Sequence, residues 1–515
     1  MHVAERRQGF MEQLLVPLGE EFARLRVRFA PGQMRACFLG SLSPPGVGQV
    51  GMERLVVEEL RVREQVLGLL LTFVGVVRHT IKADGHWSRP GVGGGQRGGE
   101  MSTLAALGAV LWRHVLPTVE DILISLHSLW DEGGADGIDL RVYVPAELLV
   151  LGDPGHRASD GDCGDVRVTK AALWLRQTRE ACYELTASLA ALDGGLGWFD
   201  YLAKHPRTVK AVFGQAEVGM ENRHVRLVLR SALVPLLRSA PARKLRDILW
   251  PVLPGLMRSC LERLTRGYDA MAAARMVENG VPGAAALERF LGANVLGVVR
   301  EGTLRLLHRD VVDVALALCN AATMSSLLEG GDFQEEGNRG EGEDHMQADD
   351  ETSSAAQSAL QAFIQMECLD VLLQTLGFSM SWPDAIACGK AVEAAQRLLP
   401  RLQGQTEFDG LYVSVLFRHA LKGLRLYLVE GAAAGRVAEK DDMSGPLSAF
   451  CTDVYVAFGR GQVAGRLREV MDSELSTSDD DVNSLNQLIF SQARSEKQQR
   501  VYMRARLHEL LAKIH

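Results

Sequence analysis

The side chains able to do chemistry are scattered rather than grouped. Thirteen histidines are spread along the 515 residues without the H-E-x-x-H spacing that sets two imidazoles on one face of a helix around a metal. His308 and His419 each stand among apolar residues at helical spacing, where a hydrogen-bonded core histidine is the simpler reading than a general base. The eight cysteines (Cys37, Cys163, Cys182, Cys260, Cys319, Cys368, Cys388 and Cys451) form no C-x-x-C pair, and several fall on apolar helix faces. They read as buried reduced thiols rather than as disulfides or a zinc site. Gly93-x-Gly95-x-x-Gly98 has the letters of a dinucleotide fingerprint, but no strand leads into it, and the surrounding glycines read as a linker. Asp160-Gly161-Asp162 opens like a calcium loop and lacks the closing Glu. A Walker loop and a G-x-S-x-G elbow are both absent. The expectation is no catalytic residue, no metal ligand, no cofactor and no enzyme activity.

What remains is positive charge at helical spacing. Arg223, Arg226 and Arg230 fall on one face of a predicted helix, opposite an apolar stripe. Arg243, Lys244 and Arg246 open the next helix, and Lys497, Arg500 and Arg504 share a face of the last one. Each set reads either as an ordinary solvated face or as a contact for an anionic partner.

The elements that must position these side chains are helices. Between Gln361 and Glu430 three stripes recur at spacings of three and four: Leu369, Leu372, Leu373 and Leu376; Ala391, Ala394, Ala395, Leu398 and Leu399; Leu416, Ala420, Leu421 and Leu424. Trp382-Pro383-Asp384 and Gly404 punctuate them. A further pair over 222–264 has the length of a HEAT-type repeat, with Pro235, Pro251 and Pro254 predicting kinks or early ends. Helices are also expected at 2–30, 52–81, 103–131, 169–193 and 284–328, and from 353 to 471. The run Asp472–Asp481 reads as an acidic loop and 484–513 as one last helix. A thin helical layer cannot bury its apolar face alone, so such pairs must stack.

Composition agrees. The chain is 47% hydrophobic but only 6% aromatic, which favours helices over strands. The net charge of −8 is concentrated in residues 330–352, which hold nine acids and one Arg, leaving the rest near neutral. That insert, with the Gly-rich loop 84–100 and the segments 33–50 and 132–168, is expected to be poorly ordered. The longest apolar run, Val66–Val77, is too short to span a bilayer, and no signal-peptide pattern opens the chain, so a soluble, non-secreted protein is expected. The expected fold is an all-α solenoid of HEAT-type helical repeats with disordered acidic and Gly-rich insertions. Its parts are helical repeats over 1–131, a flexible loop over 132–168, repeats over 169–329, the acidic insert 330–352, and C-terminal repeats over 353–515.

Over residues 205–510 the order of landmarks resembles the C-terminal half of an exportin of the importin-β superfamily, of the exportin-five (HASTY-like) type. Leu249-Trp250-Pro251-Val252-Leu253-Pro254 resembles a helix start in that family, and Arg309-Asp310-Val311-Val312-Asp313 a helix that precedes a variable acidic insert. Phe378-Ser379-Met380-Ser381-Trp382-Pro383-Asp384, then Leu416 to Leu424 (LFRHALKGL), and Glu496 to Arg500 are further counterparts. Gln8–Glu20 and 103–131 give a thinner match. The resemblance implies a nuclear export receptor that shuttles between nucleus and cytoplasm. It implies Ran-GTP, double-stranded RNA of pre-microRNA type or protein cargo, and nuclear pore proteins as partners, with a basic inner surface that grips RNA by phosphate and shape. It also implies that much of the Ran-GTP surface lies in an N-terminal half without a counterpart here. A repeat scaffold that only binds proteins is the alternative.

Overall fold

The computed structural model describes residues 2–29, 50–87, 107–128, 166–191, 197–214, 222–239, 247–278, 301–319, 368–382, 384–402, 406–430, 442–493 and 495–513. Among them every regular element is a helix and there is no strand. The fold is therefore an all-α stack of helical repeats. It forms two compact units, Met1–Ser259 and Cys260–His515. Of the expected loops 33–50, 84–100, 132–168 and 330–352, residues 33–49, 88–100, 132–165 and 330–352 lie outside the described residues, while 84–87 and 166–168 are helical, as the end of Val50–Trp87 and the start of Val166–Ala191. Residues 284–300 and 320–328 of the predicted helix pair, and 353–367, also lie outside the described residues.

In the first unit the long helix Val50–Trp87 packs along Val166–Ala191. Trp174 Nε1 donates to the Arg63 carbonyl at 2.8 Å, and Arg78 pairs with Glu184 further along, so the two helices run parallel. Arg63 is buried, with its guanidinium 5.5 Å from the Trp174 ring centroid. Of the predicted 103–131 helix, residues 107–128 are described: α-helix at 107–110, a π segment, Leu111–Val115, and then Leu116–Ser128. The helix 222–239 likewise contains a π segment, Val228–Leu233, just ahead of Pro235, which has no N–H for its own i−4 carbonyl. Pro251 sits in a turn that divides residues 247–249 from Leu253–Glu278, and Pro254 falls in that helix's first turn, where a missing N–H costs nothing. Pro251 and Pro254 thus mark a turn and a helix start, while Pro235 lies within the helix 222–239.

In the second unit all four residues of the Leu369 stripe are buried, as are Ala391, Ala394, Ala395 and Leu398, and Leu416, Ala420, Leu421 and Leu424. Leu399, at the edge of its stripe, is half-buried. The helix 406–430 crosses Cys368–Met380 at backbone contact: a Cβ placed on Gly423 would lie 2.0 Å from the Met380 carbonyl oxygen. On the other helix a Cβ on Gly377 would meet the His419 ring at 2.9 Å.

Beside this crossing lies a buried polar network. His308 is fully buried. Ser379 Oγ donates to the Thr375 carbonyl at 2.7 Å, so it accepts from His308 Nε2 at 2.8 Å. That tautomer leaves His308 Nδ1 to accept from the Tyr268 hydroxyl at 3.2 Å. The Tyr268 ring lies 4.1 Å from Trp382, which stacks on Phe378. One residue on, Arg309 Nε lies 3.1 Å from both carboxylate oxygens of the buried Asp384. Asp384 Oδ1 also accepts from the Ala387 N–H at 3.0 Å, capping Ala385–Leu402. Burial, more than the opposing pull of Asp384, lowers the His308 pKa to about 4.

Two expectations are corrected. Asp472–Asp481 is not a loop: Ala464–Leu475 runs through its first part, and Asp479–Asn486 begins inside it. Asp479, Asp480 and Asp481 fall in a first helical turn, where the helix dipole favours them, and Ser478 forms a reciprocal capping box with Asp481. The last helix is not continuous over 484–513 either. A π segment, Gln487–Gln492, ends at Ala493 in extended backbone, and Glu496–Lys513 restarts with Ser495 Oγ accepting from the Gln498 N–H at 3.3 Å.

The crossing predicts that Gly423→Ala costs the second unit roughly 2–5 kcal/mol, because the helices must separate. Gly445→Ala, in open space at the start of Ser444–Phe458, is the matched control and is neutral or slightly stabilising. Thermal unfolding of the two variants checks this, and equal midpoints would refute the close contact. The His308 site adds a pH dependence. Its folded pKa is depressed, so its contribution is full above the unfolded value of about 6.5 and is lost as pH falls towards about 4. His308→Gln should flatten the acid limb of the stability curve between those values. An unchanged slope in urea unfolding from pH 7 to pH 4.5 would show that His308 does not titrate there.

Candidate cargo-binding surface

The helix 222–239 buries Val225, Val228, Leu229, Ala232, Leu233, Leu236 and Leu237, which turns its basic residues away from the core. They are not equivalent. Arg223 Nη2 pairs with Glu180 Oε1 at 3.0 Å and its side chain is 32% exposed. Glu180 also accepts from Arg176 Nε at 3.1 Å, so one carboxylate serves two guanidinium groups. Arg226 is half-buried, and Arg230 is exposed within the π segment, whose wider turns rotate it relative to a straight α-helix. The expected shared face is therefore only partly formed. Arg243, Lys244 and Arg246 lie outside the described residues.

On Glu496–Lys513 the expected face is present. Met503, Leu507, Leu510 and Leu511 are buried, while Lys497, Arg500 and Arg504 are exposed. Arg500 Nε lies 3.1 Å from Asp453 Oδ1 on Ser444–Phe458, with the arginine side chain still 55% exposed. Lys497 and Arg504 have no ion pair among the described residues.

Sequence reasoning missed two further sets. Arg418, Lys422 and Arg425 project from 406–430 at spacings of four and three, a pattern legible in the sequence but read there only as part of a landmark. Arg418 Nε and Lys422 Nζ converge on Glu474 Oε1 at 3.6 and 3.8 Å, and Arg425 is exposed. In the first unit Lys204, Arg207 and Lys210 come from the short helices Trp198–Lys204 and Pro206–Phe213. Arg207 is held by Glu120 at 3.0 Å and Asp121 at 3.2 Å, while Lys204 and Lys210 are exposed without an ion pair among the described residues. Exposed cations on rigid helices can contact phosphate oxygens without reading bases, with an affinity that falls steeply with salt.

A cavity of about 360 Å³ in the first unit is walled by Leu202, Val209, Phe213, Ile248 and Leu256, with Lys210 and Asp247 its charged lining. Burial pushes the Cys260 and Cys388 thiols up to about 12, and Cys182 and Cys451 are raised as well, which keeps them protonated and unreactive at neutral pH. His419, 2.9 Å from Ser381 Oγ, is lowered to about 4 by burial and by Lys422 and Arg418, so it stays neutral. Among the described residues no group of three or more His, Cys, Asp or Glu side chains could hold a metal ion, and no helix is long and apolar enough to cross a membrane.

Comparison with known proteins gives one positive finding. No curated protein and no solved structure matches the chain. The exportin-5 family profile matches residues 159–513, well over half of the 515 residues, starting ahead of the landmarks that begin at 205. The matched stretch contains the basic helix 222–239, the Gly423 crossing and the last helix, and on that match the chain belongs to the exportin-5 family of nuclear transport receptors.

Proposed function

We propose that the chain works as a Ran-GTP-dependent export carrier of structured double-stranded RNA and protein cargo, or as the C-terminal cargo-holding part of one. In this reading it shuttles between nucleus and cytoplasm through contacts with nuclear pore proteins. The observation that carries the reading is the family match over 159–513. The exposed cations within that stretch support it: Arg230, Arg425, Lys497 and Arg504 stand on helices whose opposite faces are packed. An A-form duplex offers phosphates and 2′-hydroxyls but no readable major groove, so it suits rigid cations set by helices better than base-reading side chains. Helical repeats on both sides of the 330–352 insert would hold the cargo, with Ran-GTP coupled to it through curvature. The action is binding and not bond chemistry.

A protein-interaction scaffold without transport activity is the second reading. It is favoured by the carboxylates already paired with several of the same cations: Glu180 with Arg223, Asp453 with Arg500, and Glu474 with Arg418 and Lys422.

Retention of a short RNA hairpin by the tagged chain, with and without Ran-GTP and at rising salt, separates the two. Under the carrier reading the hairpin is retained in a Ran-dependent way and lost at high salt, and Lys497→Glu with Arg504→Glu weakens retention about tenfold or more and lowers the salt slope by about two. Retention without Ran dependence identifies the cargo-holding part. No retention at low salt, with Ran-GTP present, leaves the scaffold.

A further inference from the structure

Three hydroxyls sit in the short link between Ala464–Leu475 and Asp479–Asn486, and the fold sorts them. Ser476 ends the first helix in the left-handed region, at φ 50° and ψ 42°, and is exposed. Thr477 is 5% exposed, and its Oγ1 is buried without a hydrogen-bond partner. Ser478 is exposed in extended backbone, at φ −80° and ψ 160°, and is followed directly by Asp479, Asp480 and Asp481. Its Oγ accepts from the Asp481 N–H at 3.2 Å and donates to Asp481 Oδ2 at 2.8 Å. From the last helix Arg506 Nη2 reaches Asp481 Oδ1 at 2.8 Å, while Arg506 Nε is buried with no hydrogen-bond partner.

We propose that Ser478 is a phosphorylation site for an acid-directed serine/threonine protein kinase. Such an enzyme binds its substrate through a basic groove that takes carboxylates on the C-terminal side of the acceptor hydroxyl. Asp479, Asp480 and Asp481 supply three in succession, and Ser478 alone of the three hydroxyls combines exposure, extended backbone and carboxylates at each of the next three positions. In the transfer Ser478 Oγ bonds to the γ-phosphorus of ATP. The bond from that phosphorus to the β–γ bridging oxygen breaks, ADP leaves with the electron pair, and the hydroxyl proton goes to the kinase's base. The product suits its surroundings. Phosphate oxygens take over the Asp481 N–H at a helix N-terminus, where negative charge is favoured. The phosphate has no proton to give Asp481 Oδ2, so that carboxylate leaves the cap. Arg506 then turns from Asp481 to the phosphate, and its unmet Nε–H gains a charged acceptor. Arg506 Nε, buried without a hydrogen-bond partner on a guanidinium that reaches the cap through Asp481, is a donor that the unmodified link does not satisfy.

The test incubates the full chain with ATP and a purified casein kinase of the acid-directed class, and locates phosphate by mass spectrometry of the tryptic peptide 469–494. Phosphate is expected on Ser478 at near one per chain. It should be absent from that peptide in Ser478→Ala and retained in Ser476→Ala. Asp479→Asn with Asp481→Asn should slow incorporation at least tenfold, with circular dichroism confirming that each variant is folded. Recovery of the peptide unmodified, or with its phosphate on Ser476, overturns the assignment.

Discussion

The second unit turns on one steric fact: Gly423 lies where no side chain fits against the Met380 carbonyl. A helix can approach another this closely only where a Cβ is missing, and the approach fixes rotation as well as distance. At about 100° per residue, Arg418, Lys422 and Arg425 fall within about 60° of one another and on the far side of the axis from Gly423. The contact that packs this helix therefore also aims its basic edge outward. The same crossing seats the His419 ring over Gly377 and brings its Nδ1 to Ser381 Oγ.

Polar groups then make the packing unique. Apolar stripes can slide past one another by a turn at small cost, whereas buried polar groups are satisfied in one register only. His308 needs Tyr268 on one side and Ser379 on the other, and the next residue, Arg309, needs Asp384, two residues past Trp382. The first unit has a counterpart in Arg179, which is buried against the Leu126 carbonyl and His224 Nδ1. Burial and the nearby guanidinium together hold His224 and His127 well below their ordinary pKa, so a cation and two neutral imidazoles share one interior.

How much of this was legible in the sequence follows from the range of each interaction. Period-3.6 stripes depend on neighbours along the chain, and nearly every residue named in them is buried. Prolines act locally, and Pro251 and Pro254 mark a real turn and helix start. The misreading of Asp472–Asp481 came from weighing acidity over position, because acids that disfavour a helix interior favour its first turn, and the Ser478–Asp481 pairing was there to be read. The break at Ala493 had a similar local signal in Ser495 and Gln498. Arg179 was not legible, since an arginine at helical spacing reads as solvent-facing until the partners from two other helices are known. The inequality of Arg223, Arg226 and Arg230 was hidden for the same reason: Glu180 comes from another helix, and the π segment breaks the 100° rule the pattern assumed.

The pairing of cations with carboxylates bears on what such a surface can bind. Glu180, Asp453 and Glu474 each come from a neighbouring helix and stand beside a basic side chain that is still 32–55% exposed. Exposed pairs of this kind contribute little to stability, typically less than about 1 kcal/mol, so they do not hold the fold together. Their effect is on binding. A phosphate approaching Arg223 or Arg500 exchanges one counter-charge for another, and the net gain is smaller than at Lys497 or Arg504. Under the carrier reading, affinity for a polyanion is concentrated at the cations without an ion pair among the described residues, and a short or flexible anion engages too few of them to bind well. A rigid duplex that meets several at once does not need each contact to be strong, and on such a surface the geometry of the helices, rather than the total charge, selects the partner.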